Sequence, residues 1–286
     1  GNYTTTVGYE AARYATGSYN TFVGSQAGKG GQTSAPYSSG QYNTAIGQGA
    51  MQSMTSAVSN VAVGNSALQD ITSATSNVAV GLNAGANITS GGYNTILGRE
   101  AGITMTTTAN TVLIGYAAGD AINSTDANGT IAIGHSAGSS ITDGRYNTII
   151  GFEAGDSITQ GDSSTIVGYQ AGSAITATGE TGSTLIGKWA GKALTSGGYN
   201  TAIGRGAMIN ATTANSCIAI GDQAAQYIPA ATNITQLIAI GASALGDAST
   251  IDTSADGGVA IGAIAGNNAG PLAGNFVIIG RYAGQK

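Results

Sequence analysis

The stretch NVAVGNSALQDITSATS at residues 60–76 runs directly into NVAVGLNAGANITSGGY at 77–93 and NTILGREAGITMTTTAN at 94–110. Aligned as three 17-residue lines, these put Gly64, Gly81 and Gly98 in one column, and Ala67, Ala84 and Ala101 in another. The same unit extends in both directions, with anchor glycines at Gly8, Gly24, Gly47, Gly64, Gly81, Gly98, Gly115, Gly134, Gly151, Gly168, Gly187, Gly204, Gly221, Gly241, Gly262 and Gly280. Eight of the fifteen spacings are 17 residues and the others run from 16 to 23. Self-similarity at a fixed short period marks a repeat architecture. Because it covers the chain, residues 1–286 form one repeat domain in this reading.

The residues within a unit select the element type. Runs such as Asn-Thr-Ala-Ile are four or five residues long and end at glycine. They are too short for helices and too rich in β-branched residues. A period of 17 with short strands and glycine turns is one coil of a parallel β-solenoid, or β-roll. About sixteen such coils are expected, stacked ~4.8 Å apart. The anchor glycine is assigned a positive φ or a close approach. The alanine three residues later recurs in all sixteen units, so only a methyl fits there. An apolar residue seven after the anchor (Ile71, Ile88, Ile158) is assigned to the core, and the Thr beside it (Thr72, Thr89, Thr195) and the column Asn20, Asn43, Asn60, Asn77, Asn94, Asn147 and Asn200 to ladders between coils. Tyr-Asn-Thr recurs every three units at 93–95, 146–148 and 199–201, which reads either as duplication of a three-unit block or as a loop on one side of every third coil.

The strand itself carries two apolar positions. The residue before the anchor is Val, Ile or Leu in all sixteen units; the residue two before it is apolar in fifteen. Neighbouring strand residues face opposite ways, so both faces are apolar, the pattern of a strand buried on both sides. The stricter position, including Val80 and Ile133, is assigned to the core. The other, Ile96, Leu113, Ile149, Ile166, Leu185 and Ile278, is then the assembly interface.

Composition narrows the function. Charged residues make up 8% of the chain and the net charge is −5, which argues against a basic nucleic-acid surface. No apolar run approaches the ~20 residues of a membrane helix, so no membrane insertion is expected. One Cys and one His cannot build an ordinary His/Cys metal site. Gly182 to Lys188 nearly matches a phosphate-binding loop, but Trp189 stands where Ser or Thr is required. His135 reads as a surface residue and Cys217 as an unreactive one in the asparagine column. Glu10, Glu100 and Glu153 share a position, but not in adjacent coils. The sequons at Asn2, Asn87, Asn123, Asn128, Asn210 and Asn233 are what an Asn/Thr-rich repeat generates by chance. No catalytic, cofactor or metal residues are assigned, and an enzyme is not expected.

The unit Asn-Thr-Ala-Ile-Gly-x-x-Ala-Gly, at 43–51, 94–102 and 200–208 with variations, resembles repeats of phage tail-fibre proteins. It is also similar to the head repeats of YadA-type trimeric autotransporter adhesins, whose Val-Ala-Ile-Gly core stands here at 259–262. The resemblance implies a left-handed β-roll, trimerisation, and an extracellular place on a virion or cell surface. The leading expectation is a structural fibre or attachment shaft, with further copies of the chain and a host-surface glycan or receptor as partners. A self-assembling filament is an alternative, because the repeat runs to both ends of the sequence. An ice-binding solenoid is another, because of its threonine column.

Overall fold

A computed structural model of the chain describes residues 3–31, 37–176, 178–228, 234–247, 256–269, 272 and 274–285. It divides into two compact units, Gly1–Arg145 and Tyr146–Lys286. In the first, the main strands are Thr5–Val7, Thr21–Val23, Thr44–Ile46, Val61–Val63, Val78–Val80, Thr95–Leu97, Val112–Ile114 and Ile131–Ile133. Each pairs in parallel with the next, always with equivalent residues opposite one another. The second unit repeats the arrangement through Thr148–Ile150, Thr165–Val167, Thr184–Ile186, Thr201–Ile203, Ile218–Ile220, Ile238–Ile240, Val259–Ile261 and Val277–Ile279. Among the described residues there is no α-helix, only a 3-10 turn at Thr125–Ala127. The chain is an all-β parallel solenoid with one main strand per coil.

The anchor glycines explain the strict register. Their φ angles lie between +125° and +140°, where L side chains are strained. A Cβ on Gly64 would lie 2.4 Å from the carbonyl oxygen of Gly81, and one on Gly204 2.3 Å from that of Gly221. Positive φ and close approach therefore both hold. The turn after the anchor is bonded to neighbouring coils as well: the Ser66 amide donates to Gln48 (2.9 Å), Leu68 to Ala84 (3.0 Å) and Asp70 to Ala86 (2.8 Å). These bonds hold Ser66 and Leu68 at left-handed φ angles of 54° and 48°, a conformation that costs roughly 1–2 kcal/mol per residue.

The core columns follow. Ala67, Ala84, Ala101, Ala154 and Ala171 are fully buried, as are Ile71, Ile88, Ile141 and Ile158 seven residues after their anchors. The asparagine column points inward as a ladder. The Asn60 side-chain amide donates to Asn43 Oδ1 (3.1 Å) and to the Ala74 carbonyl (2.9 Å), and Asn77 repeats the bond to Asn60 Oδ1 (3.0 Å). Buried amides need such partners. The threonine hydroxyls also link coils, but to main-chain carbonyls: Thr72 donates to Thr89 (2.9 Å) and Thr195 to Thr212 (3.0 Å).

The two apolar strand positions are the reverse of the sequence expectation. Ile96, Leu113, Ile149, Ile166 and Leu185 have no exposed surface, because they fill their own coils, and Ile278 in the last coil also lies partly inside. Val80 and Ile133 stand on the outer face. The inner position varies in size because it shares its space with the residue four after the anchor. Ala45 accompanies Met51, Ala62 Leu68, and Ala202 Met208, whereas Phe22 accompanies Gly28, Leu113 Gly119, and Leu185 Gly191. A Cβ on Gly28 would sit 2.4 Å from the Phe22 ring, and one on Gly119 2.8 Å from Leu113. Ala79 and Gly85 are both small, and there Ile96 and Leu68 reach in from the adjacent coils.

The longer coils of the second unit carry extra pairing: Thr178–Glu180 pairs with Gln160–Asp162, and Ile234–Thr235 with Ala214–Asn215. Tyr93, Tyr146 and Tyr199 stand exposed at left-handed φ. A Cβ on Gly182 would come within 3.0 Å of the Tyr199 ring, so glycine leaves room for that ring.

Two neighbouring glycines test the stacking. Gly204→Ala should lower stability in urea unfolding by about 3 kcal/mol or more, since it adds a clash to backbone strain. Gly206→Ala should cost no more than about 1–2 kcal/mol, because φ there is 66° and the nearest atom to a new Cβ is 3.7 Å away. Equal losses would contradict the stacking.

Candidate functional site

Each main strand turns its first and third residues outward. In the second unit four successive strands present Thr148 with Ile150, Thr165 with Val167, Thr184 with Ile186, and Thr201 with Ile203. In the first unit Val61 with Val63 and Val78 with Val80 form apolar rows. Ile46 and Val80 in the first unit and Ile186 in the second keep 40%, 38% and 36% of their surface exposed, so each unit leaves outward apolar strand residues uncovered in the single chain. The six residues assigned to assembly from sequence are not among these, which belong to the column next to them.

Exposed rings flank the main strand, some before it and some after the anchor glycine. Tyr3, Tyr19 and Tyr42, five residues before their anchors, stack at 5.2 and 5.0 Å. One residue after the anchor, Tyr116 packs on the exposed His135 (5.0 Å) in the first unit, and Phe152 on Tyr169 (5.4 Å) in the second. Tyr169 meets the edge of Trp189 at 6.4 Å. Lys188 Nζ lies 4.0 Å above the Trp189 ring and Lys192 Nζ 5.6 Å from it. The Trp189 indole N–H donates to Gln170 Oε1 (3.2 Å), and Gln170 Nε2 donates to Glu153 Oε2 (2.7 Å).

The remaining candidates have structural explanations. Gly182 to Lys188 contains the strand Thr184–Ile186 and the anchor Gly187, so it does not form a phosphate-cradling loop. Cys217 is buried in the asparagine column, its amide donating to Asn200 Oδ1 (3.0 Å). Burial pushes its thiol pKa up, which disfavours the reactive thiolate. Burial also holds Asp120 and Asp156 above the usual carboxylate range. Among the described residues no three His, Cys, Asp or Glu side chains group as metal ligands, and no helix is long and apolar enough to cross a membrane. Asn87, Asn123 and Asn210 are exposed, and Asn128 accepts from the Ala109 amide (2.7 Å). Asn2 and Asn233 lie outside the described residues.

No family model, curated protein or solved structure matches the chain.

The inner and outer columns predict opposite responses to charge. Ile149→Asp should prevent folding, because it buries an unpaired charge. Val80→Asp should leave the circular dichroism and melting of the dispersed chain within a few degrees of the parent's. Loss of folding in both variants would contradict the assignment of faces.

Proposed function

We propose that the chain is a structural shaft of an extracellular fibre or attachment appendage, assembled from several copies through the outer strand face, and not an enzyme. The observation that carries this reading is the uncovered column of Val, Ile and Leu before the anchor glycines. Covering the exposed third of such a side chain is worth roughly 0.5–1 kcal/mol. Three rungs of the first unit and four of the second keep that much surface open and the others are half-buried, so eight rungs on each of two partners contribute at most roughly 8–16 kcal/mol, against an association cost of about 4–15 kcal/mol. The outward Val and Ile of the first strand position add to that sum. The resemblance of the repeat to tail-fibre and adhesin-head repeats supports a trimer on a virion or cell surface. An axially growing filament is the rival assembly, and electron micrographs separate short rods from indefinite threads.

A second reading has its own observation. The four successive Thr-x-Ile/Val rows of the second unit form a regular outward grid of the kind that can order water. Thermal hysteresis of the purified chain would favour an ice-binding surface over an assembly face.

Light scattering tests the main reading. The chain should be oligomeric at micromolar concentration, and Ile150→Lys with Ile186→Lys should separate the copies while each chain stays folded. A monomeric parent, or a double variant that assembles unchanged, would refute it.

A further inference from the structure

We infer that the corner carrying Phe152, Tyr169 and Trp189 binds an acidic polysaccharide, whose carboxylates are taken by Lys188 and Lys192. Only nine of the 286 residues are Lys or Arg, yet two of them converge on one indole, at 4.0 and 5.6 Å. Lys188 also lies 5.7 Å from the Tyr169 ring. Among the described residues neither ammonium forms an ion pair, whereas Lys29, Arg13, Arg99 and Arg205 each have a carboxylate partner. An ammonium has three donors, so one resting on a ring keeps others for a ligand. Two like charges held together without a counter-ion attract an anion.

The wall behind the charges is pre-organised. The hydrogen-bond chain from Trp189 through Gln170 to Glu153 fixes the indole before any ligand arrives, which lowers the ordering cost of binding. The aromatic rungs recur once per coil, with Phe152 and Tyr169 centred 5.4 Å apart and both exposed. That interval is close to the rise of one pyranose unit in an extended chain, so consecutive sugars can meet consecutive rings, their hydroxyl oxygens facing the positive ring edges. A flat apolar partner would leave the ammoniums unpaired, and a neutral glycan would not use them. A carboxylated sugar chain satisfies both charges and rings.

This inference adds a ligand class to the attachment reading and rests on it. Its test is independent of assembly. Trp189 is the only tryptophan in the chain, so its emission reports this corner alone. Titration with polygalacturonate or polysialic acid should change that emission saturably, and equal concentrations of dextran should not. Lys188→Gln with Lys192→Gln should weaken the response at least tenfold, and added salt should weaken it in the parent. An equal response to dextran, no response to either acidic polymer, or an unaltered response in the double variant would overturn the inference. So would a double variant whose scattering mass falls while its response to the polymers persists, since the lysines would then meet another copy of the chain. Failure of the titration with the parent still oligomeric would leave the assembly reading standing.

Discussion

Glycine against glycine carbonyl is the contact on which the other columns depend. At the anchors from Gly8 to Gly115 and from Gly151 to Gly262 the Cα lies so close to the neighbouring coil's carbonyl that no side chain fits; the Cβ of an alanine at Gly151 would stand 2.3 Å from the Gly168 oxygen. This approach, with a φ open mainly to glycine, holds consecutive coils in one register. Once register is set, every other position meets its equivalent. Asparagine then bonds asparagine, threonine reaches the next carbonyl, and rings stack on rings. A one-residue slip would turn the inner strand face outward, and the glycine column opposes it.

Inside the coil, volume is conserved by pairs instead of single positions. The strand's central residue and the residue four after the anchor fill one space, so a large member on one side requires a small one on the other. Interiors are close-packed, and an added methylene is felt. This explains the alternation of Ala62 and Leu68 with Leu185 and Gly191. The outer face has no such restriction of volume, yet keeps Val, Ile or Leu before every anchor. That uniformity outside the core is the basis for reading it as a contact surface.

Much of this was legible in the sequence. The period, the glycine turn, the buried alanine, the apolar residue seven after the anchor and the asparagine ladder follow from column composition alone. The sidedness of the strand did not. Alternation relates neighbouring residues but does not say which points inward, and uniformity favoured Val80 and Ile133. Two signals pointed the other way. Asn60 and Ala62 share strand parity, so an inward asparagine ladder brings the alanine position with it. The size pairing of Phe22 with Gly28 also marks a shared interior space. The candidate ligand corner was only partly legible: Phe152 and Tyr169 share the column directly after the anchor, but Trp189 stands one position further on, and column composition did not bring Lys188 and Lys192 onto its ring. From sequence, Lys188 and Trp189 appeared only as the end of a failed phosphate-loop match.

The in-register stack is the central claim, and spin labels measure it most directly. With Cys217 changed to Ser, the residue already present in that column at Ser164 and Ser183, nitroxides can be attached at Asn65→Cys and Leu82→Cys. These exposed positions each follow an anchor glycine in adjacent coils, and the account puts their backbones about 4.8 Å apart. Diluted with unlabelled protein, the doubly labelled chain should show strong dipolar broadening that is absent from either single label. Narrow lines from the doubly labelled chain would mean that the two glycines do not stack.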